Sequence, residues 1–145
     1  MSKYEKVMSS SLIELVDLLS NEEGLEMFAI DFHPWDGLIE YSILTKDEVE
    51  EDPLLKDLEE MPAWKLFHVS SQSNVWKDEV LQIAETIKAN YEKAQDKELM
   101  VEAEYKDIVS ALKSESVKSS FAKLNLTESF QISVVDLDSG EEYYA

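Results

Sequence analysis

The chain of 145 residues contains neither cysteine nor arginine. The lack of cysteine excludes a disulfide bond, a thiolate nucleophile and a cysteine-ligated metal. The lack of arginine removes the side chain that best clamps phosphate, and all 13 basic residues are lysines. Because 32 acidic residues bring the net charge to −19, we expect no binding to nucleic acid or to an anionic membrane. The charge favours a basic protein partner, although it also serves solubility alone.

Glycine and proline are scarce, with three of each. So few glycines leave no phosphate-cradling loop and no dinucleotide fingerprint, and we expect no cofactor. Long apolar runs are also missing, since no stretch approaches the roughly 18 apolar residues of a membrane span. The start, "MSKYEKVMSSSLIEL", lacks the apolar run of a signal peptide. We therefore expect a cytoplasmic protein.

The hydrophobic residues, 44% of the chain, suffice for one core, so we expect a single globular domain over residues 1–145. Apolar spacing predicts helices over residues 3–19 and 74–94, a break near Asp96, and further helices through residues 101–112 and 117–124. Alternation predicts strands in "LEMFAIDF", "LIEYSILT" and "SFQISVVDL". The segments "AWKLFHVSS" and "EEYYA" are interpreted as a third strand and an edge strand. This order predicts an α+β fold, with a mostly antiparallel sheet of about four to five strands and helices packed on one face.

The stretch "DFHPWDG", residues 31–37, has the composition of a hairpin turn. A four-residue loop from Pro34 to Gly37 places His33 opposite Leu38 and sets the register of both strands. One face of the hairpin is then apolar, and it comprises Phe28, Ile30, Phe32, Ile39, Tyr41 and Ile43.

On the other face of the hairpin, Asp31 is predicted to lie directly opposite Glu40. Like charges in this position cost stability unless a cation lies nearby or solvent screens both. The cation could be zinc or manganese held by Asp31, Glu40 and His33, a lysine of this chain, or a basic side chain of a partner. His68, between apolar residues, is interpreted as structural. Since no motif singles out a nucleophile or a general base, we expect no enzymatic activity.

Trp35 at the hairpin tip has two interpretations. It is either an exposed binding anchor or a ring that packs over the sheet edge. The segment "KDEVEEDPLLKDLEE", residues 46–60, contains eight acids and is either a docking surface or a solvated face. The run Asp136-x-Asp138-x-Gly140 lacks the spacing of a calcium loop and is interpreted as a turn. We expect a partner to contact the hairpin and the start of the acidic segment, at Asp31, His33, Trp35, Asp36, Glu40, Asp47, Glu48, Glu50, Glu51 and Asp52.

The order of elements across most of the chain resembles that of the small acidic immunity-type proteins that bacteria encode beside polymorphic toxins. The resemblance lies in the leading helix, the "FAIDFHPWDGLIEYSILT" hairpin, the "PAWKLF" segment, the helical middle and the closing "VVDLDSG". It implies a stoichiometric inhibitor that binds a toxin domain, often a basic nuclease, and covers its active site with an acidic face. The resemblance assigns no role to any single residue.

Two other functions fit parts of the sequence. The first is a metal-dependent enzyme that uses the outer face of the hairpin, and the second is an acidic mimic of DNA. A DNA mimic requires acids spaced like phosphates along one face, which a linear sequence does not define. The sequence likewise leaves the oligomeric state open.

Overall fold

The structure is a computed structural model that describes residues 2–145. The α-helices are α1 (Glu5–Glu14), α2 (Val16–Leu19), α3 (Lys46–Glu51), α4 (Asn74–Lys93), α5 (Lys97–Leu112) and α6 (Glu115–Phe121). The strands are β1 (Leu25–His33), β2 (Leu38–Thr45), β3 (Leu126–Ser133), β4 (Val135–Asp136) and β5 (Glu141–Glu142). Short 3₁₀ helices cover Pro34–Asp36, Pro53–Lys56, Leu58–Ala63 and Val69–Gln72. None of the helices among these residues is long and apolar enough to cross a membrane.

The predicted hairpin and its register are confirmed. Strands β1 and β2 pair antiparallel, with His33 opposite Leu38 and Asp31 opposite Glu40. All six residues of the expected apolar face are buried. Gly37 closes the turn with φ of 64°, and a Cβ at this position would lie 3.1 Å from the carbonyl oxygen of Ala84 in α4. The backbone angle therefore favours glycine here, and a side chain would press against α4.

The α+β class is confirmed, but the expected sheet of four to five mostly antiparallel strands is wrong. The main sheet has three strands in the order β2-β1-β3, and β3 runs parallel to β1. Strand β3 begins beside the start of β1, where Leu126 pairs with Leu25. A parallel pair requires a long crossover, which the helices between β2 and β3 supply. Strands β4 and β5 form a separate antiparallel pair, so the predicted edge strand at the end of the chain joins β4 instead of the main sheet.

The segment at residues 63–71 is not the strand that we expected. It touches the sheet at one isolated bridge, between Leu66 and Ile43 of β2. The 3₁₀ helices on either side and the left-handed backbone of His68, with φ of 51°, prevent an extended run. The buried residues Trp64, Leu66 and Val69 follow no strict alternation, which is the physical reason for the wrong prediction.

Helices cover the inner face of the hairpin. Phe28 meets Phe121 of α6 edge to face, Phe32 meets Tyr105 of α5 in the same way, and Tyr41 meets Trp76 of α4. Ring centroids in these pairs are 5.0–5.1 Å apart, a favourable separation for aromatic packing. The large core therefore lies between the sheet and α1, α4, α5 and α6.

A second, smaller core covers part of the outer face. Met27, Ala29 and Leu44 pack there against Met61 and Trp64. The indole Nε1–H of Trp64 donates to the backbone oxygen of Leu55 at 2.7 Å, which ties the two neighbouring 3₁₀ helices together. Strand β1 is consequently buried on both faces over most of its length. Of its polar residues, Asp31 and His33 lie near the tip of the hairpin, and Glu26 lies at the other end, where it accepts hydrogen bonds from Ser129.

Helix α3, at the start of the acidic segment, begins with a capping box. The side chain of Thr45 accepts from the backbone N–H of Glu48, and the Glu48 carboxylate accepts from the backbone N–H of Thr45 at 3.0 Å. The same carboxylate accepts from the backbone N–H of Lys65 at 2.6 Å. The spacing T-x-x-E in "TKDE" is a signal for such a helix start. The capping box stabilises the junction between β2 and the acidic segment.

We expect Thr45→Ala to lower the free energy of unfolding by about 1 kcal/mol, because it removes the N-cap oxygen. Urea titration measures this change, and Thr45→Ser should restore most of it. Thr86→Ala is the matched control, since Thr86 is exposed on α4 and alanine favours helix. Equal stability of Thr45→Ala and the native chain would contradict the capping role.

Candidate functional site

The opposed carboxylates of Asp31 and Glu40 face groups of this chain that compensate them. One oxygen of Asp31 lies 2.8 Å from Nε2 of His33, and the other accepts a hydrogen bond from Nε2 of His68 at 2.7 Å. The Asp31 side chain is only 14% exposed. Two imidazoles of this chain therefore lie against Asp31, and one of them belongs to a distant segment.

His68 reaches Asp31 because a left-handed backbone turns the chain at this residue. Its backbone N–H donates to the hydroxyl of Ser42 at 2.8 Å, and its ring stacks on Phe67 with the centroids 3.7 Å apart. These contacts fix the imidazole over the outer face of the hairpin. Sequence inspection identified His68 as structural but did not place it beside Asp31, because no local pattern links residues 37 positions apart.

Glu40 is half-buried and accepts a hydrogen bond from the hydroxyl of Ser70. The same hydroxyl accepts from the backbone N–H of Tyr41 at 2.9 Å. Burial raises the pKa of Glu40 above its ordinary value, Asp31 adds to the rise, and Ser70 and His68 oppose it. Among residues 2–145 no group of three or more histidine, aspartate or glutamate side chains is arranged to hold a metal ion. The outer-face polar groups instead form a hydrogen-bonded layer with one another.

Glu40→Gln should make the chain more stable at pH 7, because it removes a half-buried charge and keeps an oxygen for Ser70. The pKa of Glu40 in the folded chain lies above the ordinary value of 4.5, so the fold disfavours the ionised carboxylate. The destabilisation is therefore absent below pH 4.5 and grows as the pH rises above that value. We expect the free energy of unfolding to rise by less than about 1 kcal/mol, because solvent screens the half-buried charge. The gain should vanish towards pH 4. Urea titration between pH 4 and 8 measures it. Asp36→Asn, at an exposed residue, is the control and should change little. A loss of stability in Glu40→Gln at pH 7 would refute the assignment.

Trp35, at the hairpin tip, packs against neighbouring rings and is also partly exposed. Its ring centroid lies 5.1 Å from that of His33 and 6.2 Å from that of Tyr91 in α4. The side chain nevertheless remains 41% exposed. Trp35 is therefore held against the end of α4 while it presents indole surface to solvent.

An open cleft of about 440 Å³ lies next to Trp35. Its walls come from the hairpin tip, the end of α4, the first turns of α5 and the turn between β4 and β5. Three aromatic side chains line it, those of Trp35, Tyr91 and Tyr143. Acidic residues line it too, namely Glu98, Glu102, Asp136, Asp138 and Glu141. A smaller cavity of about 30 Å³ adjoins it through shared residues and reaches Asp31 and His33.

The cleft already has one cation at its wall. Nζ of Lys97 lies 5.3 Å from the centre of the Tyr91 ring, within the range of a cation–π contact. The pKa of Tyr143 is raised to about 12, first by burial and then by Glu141, with Glu102 and Asp136 adding to the rise. The three acids near Tyr143 thus make this side of the cleft negative.

The other expected contact residues lie at the opposite end of the hairpin. Because β2 spans eight residues, the tip and the start of α3 are separated by on the order of 25 Å. Within residues 46–52, Glu48 is used by the capping box and by Lys65, and Glu50 lies 3.7 Å from Lys46. The exposed acids of this stretch are Asp47, Glu50, Glu51 and Asp52. The expected contact region is thus two separate acidic areas, one at each end.

The cleft contains residues that sequence inspection did not select: Tyr91, Glu98, Glu102, Asp136, Asp138, Glu141 and Tyr143. The turn prediction for residues 136–140 holds, since the backbone N–H of Gly140 donates to the backbone oxygen of Asp136 at 2.6 Å. No signal in the sequence indicated that this turn would lie beside Trp35.

Comparison with models of known protein families, with curated proteins and with solved structures finds no match for this chain. We therefore infer its function from its own geometry and charge.

Proposed function

We propose that this chain is a non-catalytic binding domain whose partner is a basic protein. The observation that carries the proposal is a surface charge that the chain does not neutralise itself. Among residues 2–145 five lysines form ion pairs with carboxylates, against 32 acids in the sequence. Glu26 is the one acid among the buried residues of that range. The excess charge therefore acts on the surroundings, over about 10 Å at 0.1 M salt.

Besides this excess negative charge, the exposed side chain of Trp35 offers an anchor for a partner. Charge mainly accelerates encounter and selects the sign of the partner, whereas aromatic side chains at an interface contribute much of the affinity. A tryptophan among acids, already positioned by Tyr91 and His33, supplies both contributions at the tip of the hairpin. The tip is thus the preferred contact area, and the acids of residues 46–52 form a second one.

The specific role that we propose is that of an immunity-type protein, a stoichiometric inhibitor that covers the active site of a basic toxin domain. The resemblance in element order and composition supports this role. The hydrogen-bonded layer of Asp31, His68, Glu40 and Ser70 agrees with it, because these groups satisfy one another and stiffen the hairpin that presents Trp35. A rigid hairpin binds with less loss of conformational entropy.

The test starts from the genes beside the one for this chain: a basic protein encoded there is produced together with this chain and then titrated with it by calorimetry. We expect a 1:1 complex whose affinity falls at least tenfold between 50 and 300 mM salt. The tip variant Asp36→Lys/Asp138→Lys should weaken binding by about tenfold or more, which is about 1.4 kcal/mol. The variant Asp47→Lys/Glu51→Lys tests the second area in the same way.

Asp17→Lys/Glu115→Lys is the matched control, because both residues are exposed and the total charge changes equally. We expect it to alter affinity less than threefold at 150 mM salt. Equal weakening by all three double variants would show that only net charge matters and would refute a defined contact area. Affinity that is independent of salt would refute the proposal as a whole.

A further inference from the structure

The cleft beside Trp35 has the chemistry of a site for a flat cation. Three aromatic rings, of Trp35, Tyr91 and Tyr143, line the same space as the carboxylates of Glu98, Asp136 and Asp138. Aromatic faces attract cations, and carboxylates at the rim supply the opposite charge and accept hydrogen bonds. The volume of about 440 Å³ lies within the range of roughly 300–1,000 Å³ that is usual for ligand pockets.

The chain itself shows that the wall of the cleft accommodates a cation. The ammonium group of Lys97 lies over the Tyr91 ring at 5.3 Å and donates to the backbone oxygen of Ala94 at 3.1 Å. Lys97 is exposed and occupies the side of the cleft formed by α4 and α5. Trp35 and Tyr143 line the other sides of the cleft, and one face of the Tyr143 ring is stacked on Tyr105 with the ring centroids 4.6 Å apart.

We propose that this cleft binds an arginine side chain of the basic partner. The proposal rests on the function proposed above and names the group that the hairpin tip recognises. A guanidinium group is planar and weakly hydrated, so it stacks on indole or phenol faces, and its forked donors fit a carboxylate in a bidentate way. The ammonium group of lysine is compact and strongly hydrated, and it makes less use of the ring faces.

Arginine is also the one common cation that this chain does not contain. A guanidinium group in this cleft would therefore have to come from another molecule. Burial is the first cause of the raised pKa of Tyr143, and Glu141, Glu102 and Asp136 add to it by opposing ionisation of the phenol, so that side of the cleft is negative.

The probe is N-acetyl-arginine amide, titrated into the native chain at constant ionic strength. The indole N–H signals of the three tryptophans serve as reporters in nuclear magnetic resonance, since Trp35 is 41% exposed whereas Trp64 and Trp76 are 3% and 0% exposed. We expect a saturable shift of the Trp35 signal and no shift of the other two. N-acetyl-citrulline amide, which has nearly the same shape without the charge, should bind at least tenfold more weakly.

N-acetyl-lysine amide and guanidinium chloride complete the series. We expect the lysine amide to bind at least threefold more weakly than the arginine amide, and guanidinium ion to shift the same Trp35 signal. The variant Glu98→Gln/Asp138→Asn should weaken the arginine amide at least fivefold, while Glu115→Gln, on exposed α6 surface, should leave it unchanged. Each variant is checked for folding by the unchanged signals of Trp64 and Trp76.

Equal shifts from the arginine and citrulline amides would refute the cation site, and tighter binding of the lysine amide would refute the preference for arginine. The two proposals can fail separately. If a salt-sensitive complex with the basic protein forms but the arginine amide leaves Trp35 unshifted, the cleft proposal fails and the binding function stands. If the arginine amide binds as expected and no basic protein does, the cleft is supported as a guanidinium site and the proposed function fails.

Discussion

Hydrogen bonding of β1 on both of its edges is the constraint on which the other elements depend. Strand β2 pairs with one edge antiparallel and β3 with the other in parallel, and side chains cover both faces of β1. A slip of one residue between β1 and β2 would turn Phe28, Ile30 and Phe32 away from the helices and bring polar residues into the core. The register is consequently held by the large core, and it decides where every polar residue of the hairpin lies, including Asp31 and Glu40.

The opposed carboxylates are a consequence of that register, and the rest of the fold accommodates them. The segment that fails to form a strand brings His68 and Ser70 over the outer face, where His68 bonds to Asp31 and Ser70 bonds to Glu40. Like charges that would weaken an isolated hairpin thereby become part of a polar layer between the second core and the tip. The segment that the sequence predicts as a third strand instead contacts the first two through Leu66, His68 and Ser70.

The acidic residues of the hairpin and the acidic segment fall into two groups. Glu48 and Asp31 are engaged by groups of this chain, whereas acids such as Asp36, Asp47 and Glu51 are exposed at the two ends of the hairpin. At the tip the acids surround aromatic rings, and at the other end they follow the capped start of α3. The two ends therefore differ in kind: the tip offers a concave aromatic surface, and the acidic segment offers mainly an electrostatic field.

The sequence by itself determined those features of the fold that local patterns encode. Alternating apolar residues and the Pro-Trp-Asp-Gly turn were enough to predict the hairpin and its register, and the helix break near Asp96 followed from apolar spacing. Tertiary structure alone decided that β3 runs parallel to β1, that His68 meets Asp31, and that the turn at residues 136–140 lies beside Trp35. These contacts join segments far apart in the chain, and they form because burial in the two cores brings those segments together, which no local pattern records.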